Sequence, residues 1–238
     1  MALLTTLFAI LTHIISHVLA QTVAKSYTGW DCCKPICSAT NNRPSLLTTR
    51  GVVQVCDRNN KPHPLQAGIN ANTGCANSNS ASPSGAAYLC DTYQPVPVSN
   101  DLSYGFAIQV SDNQNADNAN CCKCYQVQWL TGAAGQANKT MIVQVVTPGG
   151  SGGDVKRNDL IILTPGGGLG PLSTGCPNQG NNQGGVRNRE ACERLPANLW
   201  GGCYWRWNWA RGEINGWDIF YVPVECPARL TEISGCRA

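Results

Sequence analysis

Residues 203–224, CYWRWNWARGEINGWDIFYVPV, decide how this chain is read. In the first half Cys203, Trp205, Trp207 and Trp209 alternate with Tyr204, Arg206 and Asn208, the period-2 pattern of a strand with one buried face. Asn215-Gly216 is a strong turn signal, and Trp217–Val224 resumes with the aromatic and β-branched residues that strands favour. The stretch therefore reads as a β-hairpin, in which packing is a stronger role than ligand contact for the three alternating tryptophans. Working outward, Gly105–Val110, Tyr125–Leu130, Met141–Val146 and Asp159–Leu163 are further short β-patterned runs between connections rich in Gly, Pro, Asn and Ser. That density of short strands predicts a closed or nearly closed β-barrel. Only Asn188–Leu195 reads as a helix, with Asn188 able to cap it, Glu190 in its first turn and Pro196 at its end. The polar stretches Asn59–Ser84 and Ser111–Asn120 lack periodicity and read as loops, of a length that builds binding surfaces in compact domains.

Residues 1–20, MALLTTLFAILTHIISHVLA, form an apolar stretch that ends in a small residue. His13 and His17 interrupt it, so it is too short for the ~20 apolar residues of a span and reads as a signal peptide. Residues 21–238 are then one domain of about 218 residues, large enough for its own core. No linker to a separate carbohydrate-binding module is visible. All 14 cysteines follow the signal segment, and an even count in an exported chain points to disulfides and to a secreted, extracellular protein. Cys121-Cys122-Lys123-Cys124 lacks the paired spacing and the histidines of a zinc site. The net charge of +3 is too small to suggest nucleic acid. Asn138-Lys139-Thr140 is an N-glycosylation sequon and marks a surface loop.

Beyond the signal segment the chain keeps one histidine, His63, in the proline-framed Lys61-Pro62-His63-Pro64, so a Ser-His-Asp or Cys-His arrangement has little to draw on. Pro165-Gly166-Gly167-Gly168-Leu169-Gly170 is not followed by GK[ST] or by a helical pattern, so it does not cradle phosphate; its glycines let the backbone turn tightly or approach a ligand closely. Carboxylate chemistry remains, and the 14 Asp and Glu make a short list for it.

Trp30-Asp31-Cys32-Cys33-Lys34-Pro35-Ile36-Cys37 resembles the signature TRYWDCCKPSC of glycoside hydrolase family 45, the small inverting endoglucanases. Gly85–Cys90, Tyr104–Ala107, Cys121–Tyr125, Pro165–Gly170, Gly202–Arg206 and Cys226–Ala228 resemble further family segments in the family's order. The resemblance thus spans nearly the whole mature chain. It implies a mainly β fold, a six-stranded double-psi β-barrel with a long open groove, disulfide-pinned loops and few short helices. It also implies the bridges Cys32–Cys176, Cys33–Cys75, Cys37–Cys121, Cys56–Cys90, Cys122–Cys236, Cys124–Cys226 and Cys192–Cys203. Spacing alone selects none of these pairings.

By the same resemblance Asp31 is the general base and Asp159 the general acid of an endo-β-1,4-glucanase that needs no cofactor and no metal. One carboxyl protonates the departing oxygen while the other deprotonates a water attacking from the opposite face, which gives inversion. Asp159 leads into the apolar run Leu160–Leu163, able to bury its carboxyl, with Lys156 and Arg157 close by. Lys34 is a cation close in sequence to Asp31. Asp154, in Gly152-Gly153-Asp154, resembles a third aspartate that assists the acid or holds substrate, with a shorter spacing to Asp159 than usual. Trp30 is either core packing or a sugar platform. The family's Arg-Tyr before Trp-Asp is Thr28-Gly29 here, so a sugar-contacting tyrosine is absent; Tyr27 is nearby, but strand geometry sends its side chain elsewhere. The HFD pattern before the glycine run has become Arg157-Asn158-Asp159. The partner implied is a β-1,4-glucan met by a monomer, with neither nucleic acid nor membrane. Three alternatives stand beside the cellulase: a xyloglucan hydrolase, an inactive glucan-binding member, and a non-hydrolytic protein like the expansins, which share the barrel without the base that Asp31 supplies.

The mature chain is expected to begin near Gln21 and to hold no free thiol. Intact mass measured after alkylation without reduction checks both, and a mass increment from alkylated cysteine, or residues 1–20 on secreted protein, would contradict them.

Overall fold

A computed structural model of the protein describes residues 21–30, 32–39, 51–74, 85–112, 118–149, 154–168 and 185–237. Nine strands are found in it: β1 (Thr22–Gly29), β2 (Asn72–Thr73), β3 (Ala86–Ala87), β4 (Val96–Pro97), β5 (Leu102–Gln109), β6 (Cys124–Trp129), β7 (Thr140–Pro148), β8 (Leu160–Leu163) and β9 (Trp217–Val224). Met141, Val143 and Val145 project to one side of β7 and are fully buried, as the alternation of a strand with one face in a core requires. Strand order is β5-β7-β6-β9-β1-β8, and β8 pairs back onto β5, so six strands close into a barrel; β4 adds to the outside of β5. The pairs β1–β8 and β5–β7 are parallel and the other barrel pairs antiparallel. Closure leaves the barrel strands no free edge.

The barrel is filled by Ala107, Val127, Trp129, Met141, Val143, Val145, Leu160, Ile162, Ile219 and Tyr221. A second layer, with Trp30, Tyr93, Phe106, Leu163 and most of the disulfides, packs between the barrel and the loops around it. Bridges join Cys37–Cys121, Cys56–Cys90, Cys122–Cys236, Cys124–Cys226 and Cys192–Cys203. Cys32 and Cys33 are disulfide-bonded as well; Cys75 and Cys176, their expected partners, lie outside the described residues. Cys122 takes a left-handed φ of 67°, and the adjacent Cys121 and Cys122 reach Cys37 and Cys236, residues far apart in the chain.

The hairpin expected at 203–224 is half correct. Trp217–Val224 is β9, but Trp200–Asn208 is an α-helix. A run of aromatic residues satisfies both periods, and what selects the helix is where the polar groups go. Arg206, on the solvent face of the strand reading, is buried beside Trp205 and Cys203. Trp205 and Trp209, four apart, lie on one helical face and stack at 5.4 Å between centroids. The helix rests on the start of β5, where the Trp205 indole N–H donates to Ser103 Oγ (2.8 Å) and that of Trp209 to the Ser99 carbonyl (2.9 Å). Trp207 points the other way, under the Arg206 guanidinium.

Of the expected helix at 188–195, Glu190–Arg194 forms a 3₁₀ turn, and Asn188 Oδ1 accepts the Ala191 N–H (2.9 Å). A short helix, Leu65–Asn70, lies within the stretch read as loop. Strand β1 is not among the β-patterned runs read from the sequence, although Tyr27 within it is placed by strand geometry. It carries Ser26 and Thr28 toward the barrel, and buried polar side chains hide a strand's apolar alternation. Ser26 is placed by two bonds: its hydroxyl donates to the Ile214 carbonyl (2.7 Å) and accepts the Trp129 indole N–H (2.9 Å).

Ser26→Ala strands a buried donor and a buried acceptor. The expected cost is about 1–3 kcal/mol, read as a lower urea midpoint; an unchanged midpoint would show that neither bond matters.

Candidate active site

Lys25, Tyr27 and Gly29 face outward from β1, because Ser26 and Thr28 between them face the barrel. On the parallel neighbour β8 the register is Ser26↔Leu160, Tyr27↔Ile161 and Gly29↔Leu163, so Asp159 stands level with Lys25 and on the same outer side as Ile161. A β-carbon on Gly29 would come within 2.8 Å of Ile161 Cγ2. The tyrosine absent from this position could not be restored unless Ile161 moved.

Asp159 is 4 % exposed. Its Oδ1 accepts the backbone N–H of Lys25 and its Oδ2 that of Lys156, each at 2.8 Å. The carboxyl thus extends the β1–β8 ladder by one rung, standing where a backbone carbonyl would otherwise receive the Lys25 N–H. The Lys156–Asp159 turn is closed by Asp159 N–H to the Lys156 carbonyl (3.0 Å) and turns at Asn158, whose φ is 73°.

A line of donors runs to this turn and ends at Tyr221 inside the barrel. Lys123 Nζ donates to Asn120 Oδ1 (3.2 Å), Asn120 Nδ2 to Gln109 Oε1 (2.8 Å), Gln109 Nε2 to the Tyr221 hydroxyl (3.1 Å) and that hydroxyl to the Asn158 carbonyl (2.9 Å). Burial pushes the Tyr221 phenol up to about 12, so it remains a donor. Arg157 meets Asp112 at 3.8 Å in an exposed ion pair, the kind that contributes little.

Asp31 lies outside the described residues, but both its flanks are held. The Trp30 N–H donates to the Gly168 carbonyl and the Thr164 N–H to the Gly29 carbonyl, each at 2.8 Å. The glycines of the Pro165–Gly168 turn therefore serve a close approach to the end of β1. A β-carbon on Gly167 would lie 2.9 Å from Gly29 N and 2.8 Å from the Thr164 carbonyl oxygen. Beyond Asp31, the Cys32 carbonyl accepts the Leu89 N–H (2.9 Å), and Cys33 pairs with Tyr88.

Of the other expected residues, Trp30 is fully buried in the outer core layer, so it is packing and offers no face to a sugar. Lys34 Nζ donates to the carbonyls of Ile69 (2.7 Å) and Ala71 (2.8 Å), tying down the end of the Leu65–Asn70 helix; burial lowers its pKa. Asp154 is exposed. Tyr27, which strand geometry was expected to send elsewhere, shares the outer face with Asp159, and its hydroxyl donates to the Asp154 carbonyl (3.3 Å). Burial first, and then the charges of Asp159 and Asp154, push its phenol up. The signal for Tyr27 was its place two residues before Gly29, which puts both on one face. Among the described residues no three His, Cys, Asp or Glu side chains gather to hold a metal ion.

The described residues form a closed, disulfide-knit six-stranded barrel with one carboxylate, Asp159, on the outer side of the parallel pair β1–β8, and comparison with known proteins gives the class. Residues 23–237 match the model of glycosyl hydrolase family 45. Similar chains include an endoglucanase of the springtail Cryptopygus antarcticus (31 % identical, covering 87 % of this chain and 85 % of that one) and one of Phaedon cochleariae (32 %, 87 % and 81 %). A putative endoglucanase type K of Fusarium oxysporum is 36 % identical over 87 % of this chain, which spans about half (51 %) of its length. The crystal structure of the cellulase from Cryptopygus antarcticus superposes with a TM-score of 0.72 at 29 % identity, over 92 % of this chain and 98 % of that one. The chain belongs to glycosyl hydrolase family 45.

Asp159→Asn puts an amide N–H₂ where one of two backbone donors needs an acceptor. It is expected to lower stability by about 1–3 kcal/mol, measured by urea unfolding; a variant as stable as the parent would show that the carboxyl ties carry no load.

Proposed function

We propose that the protein is an endo-β-1,4-glucanase that hydrolyses internal bonds of a cellulose-like glucan with inversion, Asp31 acting as base and Asp159 as acid. The observation that carries this is the family match over residues 23–237, with endoglucanases among its relatives. In the reaction a protonated Asp159 gives its proton to the departing glycosidic oxygen. Asp31 takes one from a water that attacks the anomeric carbon from the opposite face, and the product is released with inverted configuration. The ties from Lys25 and Lys156 occupy one acceptor site on each Asp159 oxygen and leave the carboxyl plane fixed. Disulfides on this scale suit an oxidising compartment, so the work is done outside the cell.

One observation favours a second reading, a family member that binds glucan with little turnover. Lys25 and Gly29 are four residues apart on an extended strand, about 13 Å, and Asp159 is level with the far end. Asp31 comes within the ~6.5–9.5 Å of an inverting pair only if the chain turns back toward Asp159 after Gly29. In this reading Asp159 is a fastening for β8.

Assays of new reducing ends on cellulose derivatives, mixed-linkage glucan and xyloglucan separate the readings and the substrates. The proposed enzyme loses about 10²–10⁴ in turnover in Asp159→Asn and in Asp31→Asn, and NMR shows the α-anomer first. A β-anomer appearing first overturns inversion. A wild type that binds these glucans without releasing ends, or variants of Asp159 that lose stability but keep turnover, establishes the second reading of that residue.

A further inference from the structure

Tyr27 belongs to no family motif, yet it is the side chain that connects the outer face of β1 to the turn carrying Asp154. Its hydroxyl reaches the backbone carbonyl of Asp154 at 3.3 Å, 127 residues away in sequence. The phenol stays protonated, since burial and the charges of Asp159 and Asp154 all oppose its ionisation, so the tie is a constant donor. Holding a backbone carbonyl fixes the α-carbon beside it, and with it the origin of the Asp154 side chain. That carboxylate is exposed and accepts hydrogen bonds without donating any, which suits the hydroxyl groups of a sugar ring. Next along the same face Gly29 has no side chain, and Ile161 Cγ2 from β8 lies 2.8 Å from where its β-carbon would stand.

We propose that Tyr27 is a positioning residue for glucan binding, setting through its hydroxyl the place from which the Asp154 carboxylate meets the hydroxyls of a β-1,4-linked chain passing beside Tyr27 and the turn that carries Asp154. The inference rests on the glucan reading above. It goes beyond that reading by assigning a role to a tyrosine outside the motifs and by making Tyr27 and Asp154 one unit.

The test is a double-mutant cycle of Tyr27→Phe and Asp154→Ala. Binding of cellohexaose by calorimetry and kcat/KM on a soluble β-glucan are measured for the wild type, both single variants and the double. Tyr27→Phe keeps the ring and is expected to weaken binding roughly twofold to tenfold, the worth of one hydrogen bond. In the Asp154→Ala background the carbonyl is still held but no carboxylate remains to be placed, so the same change is expected to be silent. A purely structural tyrosine would instead lower binding by the same factor in both backgrounds, and that result, or no effect in either, overturns the proposal. A wild type that neither binds nor cleaves any β-1,4-glucan overturns the glucan reading itself, an outcome distinct from a working wild type with additive variants.

Discussion

The barrel depends on four residues, Leu160–Leu163, pairing on both sides at once. β8 is parallel to β1 along one edge and antiparallel to β5 along the other, and without it a sheet with two open edges would remain. So short a strand offers few ladder bonds, and side chains supply what the backbone does not. Leu160 and Ile162 are sealed into the barrel, while just before the strand the Asp159 carboxyl takes up the Lys25 N–H. Tyr221, from β9 on the far side of β1, holds the Asn158 carbonyl.

The same seam is where the chemistry is expected, and the two demands pull on one residue. A proton donor has to reach a bond in a polymer, whereas a fastening has to stay buried and bonded. Asp159 has the second character plainly, with both oxygens engaged by backbone donors. Tyr27, on the outer side of β1, and Asp154, exposed in the turn that precedes β8, are free of that conflict. Catalytic groups mounted on a rigid strand pair keep their geometry, but a residue that also closes the fold gives up reach.

Much of this was legible in the chain. β5, β6, β7 and β9 announced themselves because their inward residues are apolar and alternate. β1 was concealed because Ser26 and Thr28, not valines, face the interior, a choice that makes sense only once Trp129 and Ile214 are seen to need hydrogen-bond partners. The Cys203–Trp209 run deceived because four aromatic residues within six positions fit either period; the deciding fact, that Arg206 is buried, is tertiary. For the site, the motifs named candidate carboxylates, but sequence could not show that Lys34 spends its ammonium on the carbonyls of a neighbouring helix. Nor could it show that Trp30 is wholly enclosed, since either property depends on what the fold brings alongside. The partnership of Tyr27 with Asp154 spans residues that no local pattern links.

The tetrapeptide Cys121–Cys124 has a consequence for how the molecule endures. Through three sulfurs it is fastened to Cys37 near the start of the described residues and to Cys226 and Cys236 near their end, so these three cross-links radiate from one point instead of joining neighbours in series. A single peptide-bond cleavage in a connection between Cys37 and Cys121, or between Cys124 and Cys226, leaves both fragments attached to that point. A protease can thus nick such a chain without parting it, and the connecting loops are at liberty to change in length and sequence while the frame they hang from stays whole.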